Sequence, residues 1–173
     1  MTQKGIEQAE KLRERFEDEN IDSFYSSSMH RARKTAEIVA DPHEADISFS
    51  KKLKEICRAE FEGESFEELI EEIESSDTED HLWKPEGGEN LKELKERATS
   101  FLGQLTENHG DETILVVSHS GTISAALVGL ISHSARESWR IRQENCCVNK
   151  VSWSKDRGWM IDSVNETWHL EDT

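Results

Sequence analysis

The sequence has few cysteines, no long apolar run and no surplus of positive charge. Three cysteines occur in the chain, and two of them, Cys146 and Cys147, are adjacent in a segment with a strand-like pattern. An odd number with this spacing argues against a disulfide framework and favours a reducing compartment. No apolar run approaches the length of a membrane-spanning helix, and the N-terminus lacks the charged-then-apolar pattern of a secretory signal. These absences predict a soluble cytoplasmic protein with no membrane partner.

Acidic residues dominate the charge. The 37 Asp and Glu residues outnumber the 21 Lys and Arg residues, which gives a formal net charge of -16. Binding to nucleic acid through phosphate contacts needs a basic surplus that releases counterions, so the composition argues against a nucleic-acid partner. Ions in solution screen the self-repulsion of such a chain, and the composition is therefore typical of the acidic proteome of a salt-adapted organism, a halophile.

The length and the order of patterns predict a single α/β domain over residues 1–173. Helical periodicity alternates with short apolar segments, without an internal repeat or a low-complexity linker. Helices are expected in "MTQKGIEQAEKLRERFEDEN", "SMHRARKTAEIVA", "SFEELIEEIES", "ENLKELKERATSFLGQLTENH" and "GTISAALVGLI". Strands are expected in "IDSFYSS" and in "TILVVSH", whose continuous apolar run indicates burial on both faces of a parallel sheet. "CCVNKVSWS" and "GWMIDSVN" predict a hairpin around Lys155 to Gly158.

The stretch "ILVVSHSGT" leads from an apolar strand into a polar corner. In α/β sheets, ligands bind beyond the carboxyl ends of strands, where helix N-termini favour anions. One interpretation places His119 against a phosphoryl group, with Arg31 from "SSSMHRARKTA" as a bidentate clamp. A second interpretation takes Ser120 as the nucleophile of an esterase elbow, since Asp162 and His169 follow in the order of a serine hydrolase triad. A third assigns His119 only a structural hydrogen bond.

Three observations argue against the esterase interpretation. The strained turn of an esterase elbow usually has glycine on both sides of the serine, whereas Ser118 and Thr122 stand at those places. The chain has no glycine-rich segment of the HGGG type to supply an oxyanion donor. The elbow also leaves the "SSSMHRARKTA" segment without a role.

Several segments in order resemble the histidine phosphatase superfamily, the phosphoglycerate mutase-like proteins. They are "SSSMHRARKTAEIVA", "LKEICRAEFEG", "PEGGENLKEL", "LVVSHSGTI" and "SVNETWHL". The resemblance extends from Thr2 to Leu170. It implies a three-layer α/β/α sandwich and phosphoryl transfer through a phosphohistidine, without metal or nucleotide cofactor. The implied partner is a small phosphorylated substrate, and the oligomeric state stays open.

The resemblance also implies roles for individual residues. Arg31 would clamp two phosphoryl oxygens, His119 would be the second histidine that stabilises charge on the transferring group, and Glu55 would protonate the leaving oxygen. Ser120 stands where the family usually has glycine, and its hydroxyl could donate to the phosphate. Arg33 is expected to be a surface charge. We expect Ser27 and Ser28 to cap the following helix.

The nucleophile of the family is a histidine in an Arg-His-Gly motif on a first, central strand. This chain begins at the element after that motif, with "MTQKGIEQA". We therefore expect the first central strand to be missing, the open edges beside it to be unpaired, and the chain as given to be inactive. A start codon assigned too late is favoured over a shortened gene product and over a strand supplied by a partner chain.

Within the family, a phosphatase is favoured over a mutase because the segment between Gly63 and Pro85 is short. Its substrates would be small phosphate esters or phosphorylated side chains. The alternatives are a phosphoglycerate mutase-type isomerase, a serine esterase that uses Ser120, and a non-catalytic protein that binds phosphate esters.

Overall fold

The computed structural model describes residues 1–43 and 45–171, which form helices on both sides of a parallel sheet. The helices are α1 (Gln3–Phe16), α2 (His30–Ala40), α3 (Phe66–Ser75), α4 (Leu91–Asn108) and α5 (Ser120–Leu130). The strands are β1 (Ser23–Ser27), β2 (Ile47–Ser50), β3 (Ile114–Val117), β4 (Val148–Ser154) and β5 (Gly158–Glu166). The predicted helices and strands occur in the structure, and Ser65 and Glu68 form a capping box at the start of α3.

The central sheet has the strand order β2-β1-β3, and both pairs of strands are parallel. Phe24 of β1 pairs with Ile47 on one side and with Leu115 on the other. Two residues separate the end of β1 from the start of α2, and two residues separate the end of β3 from the start of α5. Because the strands are parallel, the N-termini of α2 and α5 come to the same edge of the sheet. This edge carries the residues singled out above.

Alternating side chains of the sheet face two separate helical layers. Phe24, with 2% of its surface exposed, packs with Leu12 of α1 and Val39 of α2. The next residue, Tyr25, faces the opposite layer, where its ring lies edge-on to Phe101 of α4 at 5.6 Å between centroids. Helix α5 packs on α4 through small and branched apolar residues in a third cluster. The predicted three-layer α/β arrangement is therefore observed.

Strand β3 is less buried than its apolar sequence predicts. All four of its residues are only half-buried, so the prediction of burial on both faces is wrong. In the part of the chain that the structure describes, β3 pairs with β1 alone, and the antiparallel pair β4-β5 forms a separate sheet. A strand at the edge of a sheet lacks a neighbour on one side, which leaves its side chains partly accessible.

The hairpin occurs where the sequence predicts it, with Trp153 of β4 opposite Trp159 of β5. Cys146 and Cys147 precede β4 instead of lying within it, and Cys146 adopts a left-handed backbone with φ of 57°. The prediction that they belong to the strand is therefore wrong. Cys146 does pack against the cluster of α1 and α2, as expected of a small core residue. Cys57, Cys146 and Cys147 are all free thiols.

Arg15 fastens the end of the chain to α1. Its buried guanidinium pairs with Glu166 at the end of β5, and its Nη1 lies 3.0 Å from Nδ1 of His169. The same guanidinium stacks 4.5 Å from the ring centroid of Trp168. Among the described residues, no helix is both long enough and apolar enough to cross a membrane.

Candidate functional site

His119 lies at the junction of β3 and α5, as the N-cap residue of that helix. Only 6% of its surface is exposed, because the end of β1 covers it. Nε2 of His119 lies 2.8 Å from Oγ of Ser27, the last residue of β1. On the other side of the ring, Nδ1 accepts a hydrogen bond of 3.2 Å from Nε of Arg31. The ring therefore joins the ends of the two central strands.

These contacts define the protonation state of His119. Since Nε of Arg31 is always a donor, Nδ1 must accept, and Nε2 carries the proton that is donated to Ser27. Burial, together with the positive charge of the neighbouring Arg31, lowers the pKa of His119 to about 4, and the carboxylate of Glu55 opposes this shift. The imidazole is neutral near pH 7 and has no free nitrogen lone pair. In this arrangement His119 donates a hydrogen bond to Ser27 and holds Arg31 in place, and it does not act as a nucleophile.

Arg31 occupies the first turn of α2 and is exposed. Its Nε is used by His119, but no hydrogen bond or ion pair to its two terminal nitrogens occurs within the described part of the chain. A guanidinium with two free terminal nitrogens can bind two oxygens of a phosphoryl group side by side. The structure therefore places Arg31 beside His119, as the first interpretation expects.

Glu55 lies at the N-terminus of α5, next to His119. One carboxylate oxygen accepts from the backbone N–H of Gly121 at 3.1 Å, and the other accepts from that of Thr122 at 3.2 Å. Helix N-termini favour negative charge because their first N–H groups have no partner within the helix. The carboxylate of Glu55 therefore occupies the N-terminus of α5, where the sequence predicts an external anion.

A cleft of about 170 Å³ opens beside these residues. Arg31 and Glu55 line one part of the cleft, and the loop after Glu55 forms the rest of the wall. The remaining lining residues belong to that loop: Ile56, Arg58, Phe61, Glu62, Gly63 and Glu64. The ring of Phe61 packs edge-on against Trp83 at 5.9 Å between centroids, which fixes this wall of the cleft. The volume suits a small molecule.

The structure changes the interpretation of the serines and of Arg33. The N-cap of α2 is Met29, and it has no side-chain cap bond. Oγ of Ser27 accepts from the N–H of Met29 and contacts His119, so the prediction that Ser27 and Ser28 cap the helix is wrong in detail. Arg33 points away from the cleft, with its guanidinium 4.0 Å from the ring centroid of Phe49 at the surface.

Ser120 is the first residue of α5 and is exposed. The proposed triad partners lie elsewhere: Asp162 is exposed on β5, and both ring nitrogens of His169 are occupied, by Arg15 and by the carbonyl of Cys146. No hydrogen bond joins Ser120 to either of them within the residues described. The geometry therefore gives the serine esterase interpretation no assembled triad.

Sequence reasoning missed Arg97 and Gly121. Arg97 of α4 donates to both oxygens of Glu89 and to the carbonyls of Lys52 and Lys54, just before Glu55. A Cβ at Gly121 would lie 2.6 Å from a carboxylate oxygen of Glu55, so this glycine permits the approach of the carboxylate. The "GT" after "SHS" was a signal for close backbone contact. Nothing local in "LKERA" indicates the contacts of Arg97.

The comparisons with known proteins agree with this geometry. The family model of the histidine phosphatase superfamily (branch 1) matches residues 1–167. The chain belongs to this superfamily. A probable phosphoglycerate mutase, GpmB, from Salmonella choleraesuis is 28% identical over 184 residues, which cover 99% of this chain and 83% of that protein.

Solved structures of similar fold extend the comparison. YhfR of Bacillus stearothermophilus has a TM-score of 0.88 at 23% identity, with 99% of this chain and 87% of that chain covered. A phosphoserine phosphatase from Entamoeba histolytica, in complex with 3-phosphoglyceric acid, has a TM-score of 0.86 at 24% identity, with 99% and 86% covered. Both share the fold of this protein.

Proposed function

We propose that this chain binds small phosphate esters in the cleft beside His119, with the terminal nitrogens of Arg31 at the phosphoryl oxygens and with His119 holding Arg31 in place. The observation that carries the proposal is the hydrogen bond of 3.2 Å between Nε of Arg31 and Nδ1 of His119 at the edge of the cleft. It holds the guanidinium fork in one orientation and leaves its terminal nitrogens for the ligand. An oriented fork loses little conformational freedom when it binds a phosphoryl group.

Each remaining site residue has a definable task. The neutral imidazole of His119 keeps Arg31 in place, because protonation of Nδ1 would remove the acceptor for Nε of Arg31. The exposed hydroxyl of Ser120 would add one neutral hydrogen bond. An alkoxide leaving group needs a proton, and Glu55 is the carboxyl group of the cleft lining that lies beside the junction of β3 and α5. To act as that acid, Glu55 must first take up a proton and release a backbone N–H of α5.

Phosphoryl transfer through a phosphohistidine needs a nucleophilic imidazole in the cleft. Both nitrogens of His119 are occupied, and no histidine belongs to the cleft lining in the described part of the chain. We therefore expect the chain as given to bind phosphate esters without hydrolysing them. The family reaction, hydrolysis of phosphomonoesters, would need a further imidazole.

The small cleft supports a low-molecular-weight ester as the ligand. The Entamoeba histolytica phosphatase of the same fold holds 3-phosphoglyceric acid, and the Salmonella relative is a probable mutase of phosphoglycerate. The segment between Gly63 and Pro85, which contains α3, is short, and this favours a phosphatase over a mutase. A phosphoglycerate mutase-type isomerase is the alternative within the same family.

The test combines two colorimetric esters with a binding assay. We expect p-nitrophenyl phosphate and p-nitrophenyl acetate to give no turnover above a heat-treated control, while orthovanadate raises the thermal unfolding temperature. Hydrolysis of the acetate that is abolished by Ser120→Ala, and retained in His119→Ala, would establish an esterase and overturn the proposal. Hydrolysis of the phosphate would overturn the inactivity of the chain. The absence of any vanadate effect would overturn phosphate binding.

A further inference from the structure

The segment that carries Glu55 is held from several sides. Oγ of Ser118 donates to the carbonyl of Leu53 at 2.8 Å, and Oγ1 of Thr122 donates to the carbonyl of Lys54 at 2.7 Å. Both donors flank His119 in the chain. The backbone before Glu55 is therefore tied to the same corner that holds the imidazole.

Arg97 supplies the remaining contacts from α4. Its Nη1 donates to the carbonyl of Lys52 at 2.7 Å and to that of Lys54 at 2.9 Å. The carbonyl of Lys54 thus accepts both from Arg97 and from Thr122. One guanidinium nitrogen spans the turn that sets the direction of the chain into Glu55.

Glu89 fixes the orientation of Arg97. Its carboxylate accepts from Nε at 2.8 Å and from Nη2 at 2.6 Å in a bidentate pair. Both side chains are mostly buried, at 21% and 16% exposed. The backbone N–H of Glu89 also donates to the carbonyl of Cys57 at 2.9 Å. The pair therefore holds the chain on both sides of Glu55, at residues 52–54 and at residue 57.

We propose that Arg97 is a positioning residue that keeps the Glu55 carboxylate on the N-terminus of α5 and away from the phosphoryl position in the cleft. The inference deepens the proposed function and rests on it, since it concerns the same cleft. A carboxylate released into the cleft would face the bound dianion as a like charge. Such repulsion would oppose the attraction of Arg31, because two negative charges would then share one small site.

The electrostatics of His119 agree with this arrangement. Arg97 and Arg31 both lower the pKa of His119, whereas the carboxylate of Glu55 raises it. The guanidinium of Arg97 is thus close enough to affect the pKa of the imidazole, although it does not line the cleft. A lysine in place of Arg97 would keep the charge but lose the fork, so Arg97→Lys separates these two contributions.

The test uses Arg97→Lys, which keeps the charge but loses the fork, in the presence and absence of Glu55→Gln. We expect Arg97→Lys to weaken vanadate binding roughly tenfold, and to have no effect once Glu55 has lost its charge. Arg140→Lys, at an exposed ion pair with Glu137, is the matched control and should change nothing. An equal loss in both Glu55 backgrounds would show a merely structural role and overturn the inference.

A second measurement is independent of vanadate. Hydrogen exchange at the amides of Gly121 and Thr122 should accelerate about tenfold in Arg97→Lys, because these amides lose the carboxylate acceptor, while the amide of Leu94 in α4 stays protected. Unchanged exchange at both amides would overturn the inference. Absence of vanadate binding to the wild type would contradict only the proposed function, and the exchange measurement would still test the inference. If Arg97→Lys does not fold, Glu89→Gln releases the same fork and should give the same pattern.

Discussion

Nε of Arg31 donates to Nδ1 of His119 across 88 residues of sequence, so the first turn of α2 is joined to the end of β3. This contact brings together the two segments whose spacing in the sequence gives no indication of their distance in space. It also leaves the terminal nitrogens of Arg31 at the cleft. The affinity of the cleft for anions should therefore depend on the fork of Arg31 and not on its charge alone.

Arg31→Lys should weaken vanadate binding by roughly 10- to 100-fold, because a single ammonium cannot hold two oxygens and also contact His119. Isothermal titration calorimetry would measure the change. Arg33→Lys is the control, since Arg33 lies two residues further along α2 and stacks on Phe49. Equal losses in the two variants would mean that the net charge of α2, and not the geometry of Arg31, determines binding.

The neutral state of His119 predicts how stability depends on pH. The pKa of His119 in the folded protein is about 4, below its ordinary value of 6.5. The unfolded chain therefore binds a proton that the folded chain does not, and stability is lost as the pH falls from 6.5 towards 4. The loss should approach about 3 kcal/mol. It should be absent from His119→Gln.

Urea unfolding of the wild type and of His119→Gln, at pH 7.5 and at pH 4.5, would check this dependence. The other groups around the ring, Arg31, Arg97 and Glu55, are present in both proteins, as is His169, whose pKa is also lowered by burial. Their contributions cancel in the difference between the two proteins. A difference that stays constant between the two pH values would contradict the assigned neutral state.

Gly121→Ala should displace Glu55, because the added methyl would lie 2.6 Å from its carboxylate oxygen. Loss of the carboxylate from the first N–H groups of α5 should destabilise the protein by about 1–2 kcal/mol. Gly103→Ala is the matched control: Gly103 lies inside α4 with nothing within 4 Å of an added Cβ. Gly103→Ala should stabilise the protein by about 0.5–1 kcal/mol. If both substitutions changed the stability in the same direction, the expected clash at Gly121 would be contradicted.

Ser120→Ala should weaken vanadate binding only a few-fold, as expected for one neutral hydrogen bond of about 1 kcal/mol. Because Ser120 is exposed at the start of α5, the substitution should leave the fold intact, and thermal unfolding would check this point. A loss as large as that of Arg31→Lys would show that Ser120, and not the guanidinium, is the main anchor of the anion.

The sequence predicts the helices and the strands because periodicity is a local property, and it predicts that Arg31 lies near His119 because both follow the ends of strands in one sheet. It does not predict that β3 is half-buried, since burial depends on which strands lie beside it. It also places Glu55 near the phosphoryl group without indicating that the carboxylate occupies the N-terminus of α5. That contact joins residues 66 positions apart through the backbone of Gly121. Arg97 acts on carbonyl groups, which every residue has, so no residue pattern indicates its partners.

The two sheets described above are joined through side chains. Within the described residues, no backbone ladder connects β3 to β4, and the hairpin is held by Cys146 and Val148 in the core and by the contacts of Arg15. The hairpin can therefore open as a cooperative unit of its own, without breaking the ladder between β1 and β3. Its amides should exchange at a lower free energy than those of β1. The cleft beside Arg31 and Glu55, built on the other unit, would keep its shape while the hairpin opens.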